Sequence, residues 1–224
     1  MRTINGVEVL TELQELVAPA TTAVIVIDMM NIVFQKICSN EGAELPGAGA
    51  TVEQVQSVIP QIKRLLLAAR GKGVLVTYAE FIQRNSLGVS LMDGPNMYCH
   101  KDAPEVIEIL EDSWESKTVE EIAPQSGDIV IHKSRGSAFY HTPLDDLLRT
   151  RGIRSLVVTG VLSTGCVLFT ACDAMHHGYY PVIPRECVGT YDPEDHRRAM
   201  GWMETKFPVV SMKEIVNIWT IANS

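Results

Sequence analysis

The stretch SLVVTGVLSTGCVLFTACDAM, residues 155–175, decides the fold. Ser155 to Thr159 is the apolar, β-branched run of a buried strand, and Val167 to Met175 reads as an apolar helix. Cys166 falls between them, at the carboxyl end of a strand and the first turn of a helix. An open α/β sheet holds its ligand there. The partial positive charge of a helix N-terminus favours thiolate over thiol, so Cys166 is a nucleophile candidate on position alone.

The same alternation extends in both directions. Short apolar runs at Ala23 to Ile27, Val74 to Tyr78, Ile129 to His132, Leu156 to Thr159, Tyr180 to Ile183 and Val209 to Val210 read as six strands. Several are near-continuous Val and Ile, as expected of strands covered on both faces. Helical patterns lie between them. Val52, Val55, Ile59, Ile62, Leu65, Leu66 and Ala69 share one helical face, which Gly71 and Gly73 close. Thr142-Pro143 with Asp145 and Asp146 opens another helix ending at Gly152. Asp192-Pro193-Glu194-Asp195 repeats that opening before a helix through Met203. Strand and helix in alternation predict an α/β fold, a three-layer α/β/α sandwich of Rossmann type around a six-stranded, mostly parallel sheet.

No linker, repeat or low-complexity block interrupts the 224 residues, which reads as a single domain over 1–224. The net charge of −8 speaks against an electrostatic nucleic-acid partner. The N-terminus has no secretory pattern and no apolar run approaches ~18 residues, so no membrane partner is expected and a cytoplasmic location is. Five cysteines, Cys38, Cys99, Cys166, Cys172 and Cys187, include no C-x-x-C pair, which favours reduced thiols over a disulfide framework or structural zinc. The turn-rich loop between Glu80 and Trp114 is expected to cover the site or join a subunit contact.

Three strand ends carry chemistry. The first strand ends on Asp28, the third on Lys133, and the fourth leads to Cys166. In a parallel sheet these ends share one edge, so an acid, an ammonium and a thiol can converge. Lys133 would favour the thiolate and Asp28 would take the thiol proton. Backbone N–H groups of Leu162 and Cys166 would hold the oxyanion formed by attack on a carbonyl. Asp28 would then protonate the leaving amine and later activate water against the thioester. This chemistry is amide or ureide hydrolysis.

These residues bring a family into view. The chain resembles the isochorismatase-like cysteine hydrolases in Ile27-Asp28-Met29-Met30-Asn31, in Gly127-Asp128-Ile129-Val130-Ile131-His132-Lys133, in Ser137-Ala138-Phe139 with Thr142-Pro143-Leu144, and in Gly160 to Val167 with Asp173-Ala174. The resemblance implies a catalytic triad on Asp28, Lys133 and Cys166, a six-stranded parallel sheet and a cis peptide before Leu162. It also implies a homo-oligomer, dimer or tetramer. Glutamine is frequent in the family where Met30 stands. Nicotinamidases carry an Asp-x-His metal motif after the second strand, whereas Tyr78-Ala79-Glu80-Phe81 has no histidine, so neither metal nor other cofactor is expected. The Ser163-Thr164-Gly165-Cys166-Val167 stretch is most similar to the carbamoyl- and ureido-cleaving branch, although Leu168 stands where that branch tends to have arginine.

The resulting expectation is a metal-independent cysteine amidohydrolase of a small amide or N-carbamoyl compound. Biuret-, triuret- or N-carbamoyl-type substrates come first and maleamate- or ureidoacrylate-type acids second. A catalytically idle interaction protein of the same fold is the alternative from another class. Phe34, Phe139 and Asn31 are expected to contact substrate. Arg135 is the nearest cation for a substrate carboxylate, or else a surface or subunit-contact residue. Trp114 is balanced between pocket and core. Cys172 and Cys187, in apolar settings, read as small buried hydrophobes.

Overall fold

The structure, a computed structural model, describes residues 1–34, 52–82 and 109–221. Cys38, Cys99 and all but the ends of the expected 80–114 loop lie outside the described residues. A short antiparallel hairpin comes first, β1 (Arg2–Ile4) and β2 (Val7–Val9), with Asn5 and Gly6 at positive φ in its turn. Two positive φ values in a two-residue loop match the twist of the paired strands. The hairpin has no trace among the apolar runs because its strands are three residues long and exposed.

The order continues α1 (Leu13–Leu16), β3 (Thr22–Ile27), α2 (Val52–Gln56), α3 (Ile59–Gly71), β4 (Leu75–Phe81), β5 (Ile129–Lys133), α4 (Leu144–Arg149) and β6 (Ser155–Val161). It closes with α5 (Cys166–His176), β7 (Tyr180–Pro184), β8 (Val188–Gly189), α6 (Pro193–Glu204), β9 (Val209–Val210) and α7 (Met212–Ile221). The strands line up as β5-β4-β3-β6-β7-β9, with β8 paired to the end of β6. Every pairing in this sheet is parallel. The sheet therefore has seven strands rather than the expected six. The extra one is β8, whose two residues, Val188 and Gly189, face Gly160 and Val161 and carry only one apolar side chain between them.

The strands serve two cores through their alternating faces. On one face Val24, Val26, Val76, Tyr78, Val157 and Val182 pack with Ile62, Leu65 and Leu66 of α3 and Ile215 and Trp219 of α7. On the other, Ala23, Ile25, Ile27, Leu156 and Val158 pack with Leu144 and Leu148 of α4, Val167 and Ala171 of α5, and Met203 of α6. This is the three-layer sandwich that the double-sided apolar strands predict. The expected helix from Val52 to Ala69 is two helices, because Pro60 sits in the first turn of α3 and contributes no N–H to a continuous ladder. No helix among the described residues is long and apolar enough to cross a membrane.

Register delivers the functional ends to one edge. Ile27 lies opposite Ala79 of β4 and Gly160 of β6, and Phe81 lies opposite Lys133. Gly160 is at φ +110°, and a Cβ there would collide with the carbonyl oxygen of Ile27. Only glycine lets β6 approach β3 this closely, one residue before Asp28.

Candidate active site

Asp28 leaves β3 at φ +50°, a left-handed conformation that aspartate tolerates better than most residues. Its N–H still donates to Ala79 O at 3.0 Å, so the carboxylate is turned while the backbone stays tied to β4. Lys133 is the last residue of β5, and its carbonyl accepts from the Ile82 N–H at 2.9 Å. Cys166 is the first residue of α5, where an N–H has no acceptor within the helix. Three elements thus bring three side chains to one point.

The lysine is the hub. Its Nζ lies 2.8 Å from Asp28 Oδ2 and 3.4 Å from Cys166 Sγ, and donates to Arg135 O at 3.0 Å. The Phe81 ring packs beside it, with Nζ 5.1 Å from the ring centre. Lys133 and Asp28 are buried, whereas Cys166 keeps partial exposure and stays within reach of a small molecule. Burial works to lower the Lys133 pKa, but the charges of Asp28 and then Cys166 outweigh it and leave the pKa raised, so the ammonium is retained.

For the thiol the balance goes the other way. Burial pushes the Cys166 pKa up, the Asp28 carboxylate adds to that, and Lys133 opposes it; the outcome is a pKa of about 12. The lysine favours the thiolate, as the sequence suggests, but burial and the carboxylate act against it and raise the thiol pKa. Together they exceed its effect. A neutral thiol requires a base. Asp28 Oδ1 is buried and has no hydrogen-bond partner among the described residues, which leaves a free acceptor beside the thiol.

The loop before α5 contains a cis peptide between Val161 and Leu162, as the family resemblance implies. Ser163 N–H donates to Gly189 O at 2.7 Å, while Gly165 and Val167 N–H donate to Leu162 O at 3.0 and 3.2 Å. The N–H groups of Leu162, Thr164 and Cys166 have no acceptor among the described residues. Leu162 and Cys166, at the two ends of this turn, are the pair the sequence reading names for an oxyanion.

The remaining expected contacts separate. Asn31 is tied to the segment 114–117, its N–H donating to Lys117 O and its Nδ2 to Trp114 O, both at 2.9 Å. Trp114 itself is 51% exposed, so its side chain belongs to neither core. Phe34 is partly buried against the α3-side core. Arg135 turns its guanidinium to Ser134 O at 2.8 Å and presents its own carbonyl to Lys133. Phe139 is buried and stacks on His177 with ring centres 4.8 Å apart, with Tyr179 at 5.8 Å. Those partners follow the far end of α5, while the neighbouring Ala138 N–H donates to Thr170 Oγ1 at 3.0 Å, one turn after Cys166.

Met30, where the family often has glutamine, accepts the Phe81 N–H on its sulfur at 3.0 Å. Glu80 is occupied by Thr118, accepting from its N–H at 3.1 Å and its hydroxyl at 2.8 Å. His132 Nε2 lies 3.6 Å from Glu80 and Nδ1 3.0 Å from Glu111. Among the described residues no group of three or more His, Cys, Asp or Glu side chains is arranged to hold a metal ion. Two neighbours of the site escaped the sequence reading, Phe81 beside Lys133 and His196 beside Ser163. The strand register puts Phe81 opposite Lys133 and was available as a signal once β4 and β5 were aligned; nothing local marks His196.

The family model of the isochorismatase domain matches residues 22–214. The ureidoacrylate amidohydrolase RutB of Enterobacter sp. (strain 638) is 32% identical over 205 residues, spanning 84% of this chain and 87% of that protein. The RutB of Methylobacterium radiotolerans is 34% identical over 203 residues, spanning 86% of this chain and 77% of that one. Among solved structures, a cysteine hydrolase from Pseudomonas syringae matches with a TM-score of 0.70 at 24% identity, over 91% of this chain and 94% of that one. N-carbamoylsarcosine amidase from Thermoplasma acidophilum matches with a TM-score of 0.64 at 22% identity, over 86% and 96% of the two chains. At these identities the structural likenesses show the fold.

Proposed function

This chain belongs to the isochorismatase family, and from that membership we propose that it is a cysteine amidohydrolase cleaving a C–N bond of a small ureido or amide compound. The observation that carries the mechanism is Lys133 Nζ held between Asp28 Oδ2 and Cys166 Sγ at the carboxyl edge of the sheet. The relatives named as ureidoacrylate amidohydrolases favour a ureido acid of that type over the biuret- and triuret-like compounds within the expected substrate range.

Asp28 takes the Sγ proton as the thiolate attacks the carbonyl carbon. Lys133 stays protonated throughout, steadying first the carboxylate and then the thiolate. The new C–O⁻ is held by the N–H groups of Leu162 and Cys166. Collapse of the tetrahedral intermediate breaks the C–N bond, and the departing amine takes its proton from Asp28. Asp28, again a carboxylate, accepts a proton from water as its oxygen attacks the thioester, and Cys166 leaves as the thiol. Arg135 is the cation nearest this triad in sequence and is our choice to meet a substrate carboxylate.

Free Cys166, Cys172 and Cys187 suit a reducing, cytoplasmic setting, and exposed Tyr140 and Trp202 suit burial between copies of the chain. The test is ammonia release from a panel of ureido acids, carbamoyl amines and small amides. At least one is turned over by the wild type, and Cys166→Ala lowers kcat by at least about 10³-fold, in line with loss of a nucleophile that works as part of a unit. Undiminished turnover in Cys166→Ala overturns the mechanism, and no turnover of any compound favours the idle interaction protein.

A further inference from the structure

The turn that carries the Leu162 and Cys166 N–H groups is anchored from behind. Ser163 is fully buried, and its hydroxyl lies 3.0 Å from Nδ1 of His196, its side-chain partner among the described residues. His196 is in the first turn of α6, whose start is set by Asp192 Oδ1 accepting the Asp195 N–H at 2.8 Å. Burial lowers the His196 pKa, so the ring is neutral near pH 7. A second link, Thr164 Oγ1 to Thr190 Oγ1 at 3.4 Å, joins the same two segments.

We propose that His196 is a positioning residue for the hydrolysis: through Ser163 it holds the 162–165 turn so that the Leu162 and Cys166 N–H groups stay aimed at the oxyanion. This inference rests on the amidohydrolase reading above. Backbone bonds from Ser163, Gly165 and Val167 fix the Leu162–Ser163 peptide plane at both ends, and the His196 contact fixes the side-chain direction at the same residue. The large majority of buried hydroxyls are hydrogen-bonded. With His196 truncated, Ser163 must rotate toward another acceptor and carry the turn with it. An oxyanion hole depends on donors held to within a fraction of an ångström, and a displacement of ~1 Å can cost ~100-fold in rate.

The test compares His196→Ala, His196→Asn and Ser163→Ala in the full chain. His196→Ala lowers kcat by about 10- to 100-fold with KM within about twofold. His196→Asn, whose amide occupies the Nδ1 position, restores most of the loss. Ser163→Ala matches His196→Ala, and the double variant is no worse than either. Succinic semialdehyde, which adds to the thiol as a thiohemiacetal bearing the oxyanion, binds His196→Ala more weakly by the same factor as kcat. Alkylation of Cys166 by iodoacetamide, which forms no oxyanion, proceeds at the wild-type rate. Unchanged kcat and aldehyde affinity overturn the proposal, as do equal losses in aldehyde binding and alkylation, which would mark general damage. Wild-type protein that neither releases ammonia nor binds the aldehyde overturns the amidohydrolase reading itself; a wild type that does both, with His196→Ala its equal, removes only the positioning role.

Discussion

Lys133 Nζ sits 2.8 Å from Asp28 Oδ2 inside the protein, with the lysine side chain wholly buried. Removing one partner of such a pair strands an uncompensated charge, which costs about 3–5 kcal/mol. Lys133→Met is therefore expected to lower unfolding stability by an amount in that range and to abolish hydrolysis. Adding Asp28→Asn to it recovers part of the stability and none of the activity. Urea unfolding of the two variants measures this, and a double variant no more stable than Lys133→Met contradicts the buried-pair account.

Asp28→Asn by itself separates reactivity from catalysis. The carboxylate raises the thiol pKa while Lys133 lowers it. Neutralising Asp28 leaves the lysine unopposed, so the thiolate fraction at pH 8 rises and iodoacetamide labels Cys166 faster than in the wild type. Ammonia release nevertheless falls by at least about 100-fold, because the proton acceptor and donor is gone. Slower labelling in Asp28→Asn would falsify the proposed electrostatic balance.

The raised thiol pKa has a signed consequence for alkaline stability. Cys166 titrates near 12 in the folded protein against an ordinary value of 9.0. Between these values the unfolded chain has released the proton and the native one has not, so stability falls as pH rises above about 9, by at most about 1.4 kcal/mol per pH unit. Cys166→Ser removes this contribution. Burial also raises the Cys187 pKa, but Cys187 is present in both proteins and drops out of the difference. Thermal unfolding from pH 8 to 10.5 is expected to show a steeper decline in the wild type than in Cys166→Ser.

Phe139 provides a control on the limits of the site. Its ring is stacked on His177 and Tyr179 in the core. Phe139→Leu is expected to lower stability by about 1–3 kcal/mol and leave KM for the hydrolysed substrate within twofold. A KM raised tenfold with unchanged stability would return Phe139 to the substrate pocket.

What was legible in the chain follows from what leaves a local mark. Each of the six apolar runs coincides with a strand, most plainly in β3 and β6, where every residue is buried and a strand covered on both faces is apolar nearly throughout. The capping at Asp192 is visible for the same reason, since its carboxylate acts within three residues. The β1–β2 hairpin and β8 left no such mark, being short or exposed. The break before α3 was written in Pro60 but hidden under an unbroken apolar stripe. The stacking of Phe139 on His177 had no local mark, because adjacency to a strand says nothing about which way a ring turns.

By itself, the sequence determined the parallel α/β sandwich and the convergence of Asp28, Lys133 and Cys166, since strand ends in a parallel sheet share an edge whatever the details. Only the tertiary structure set the opposing pulls of burial, Asp28 and Lys133 on the Cys166 thiol. That balance depends on how much water burial removes and on how near Asp28 and Lys133 come to the thiol, and the linear order of residues encodes neither. The same holds for the contact between Ser163 and His196, which lie 33 residues apart and meet because β8 returns the chain beside β6.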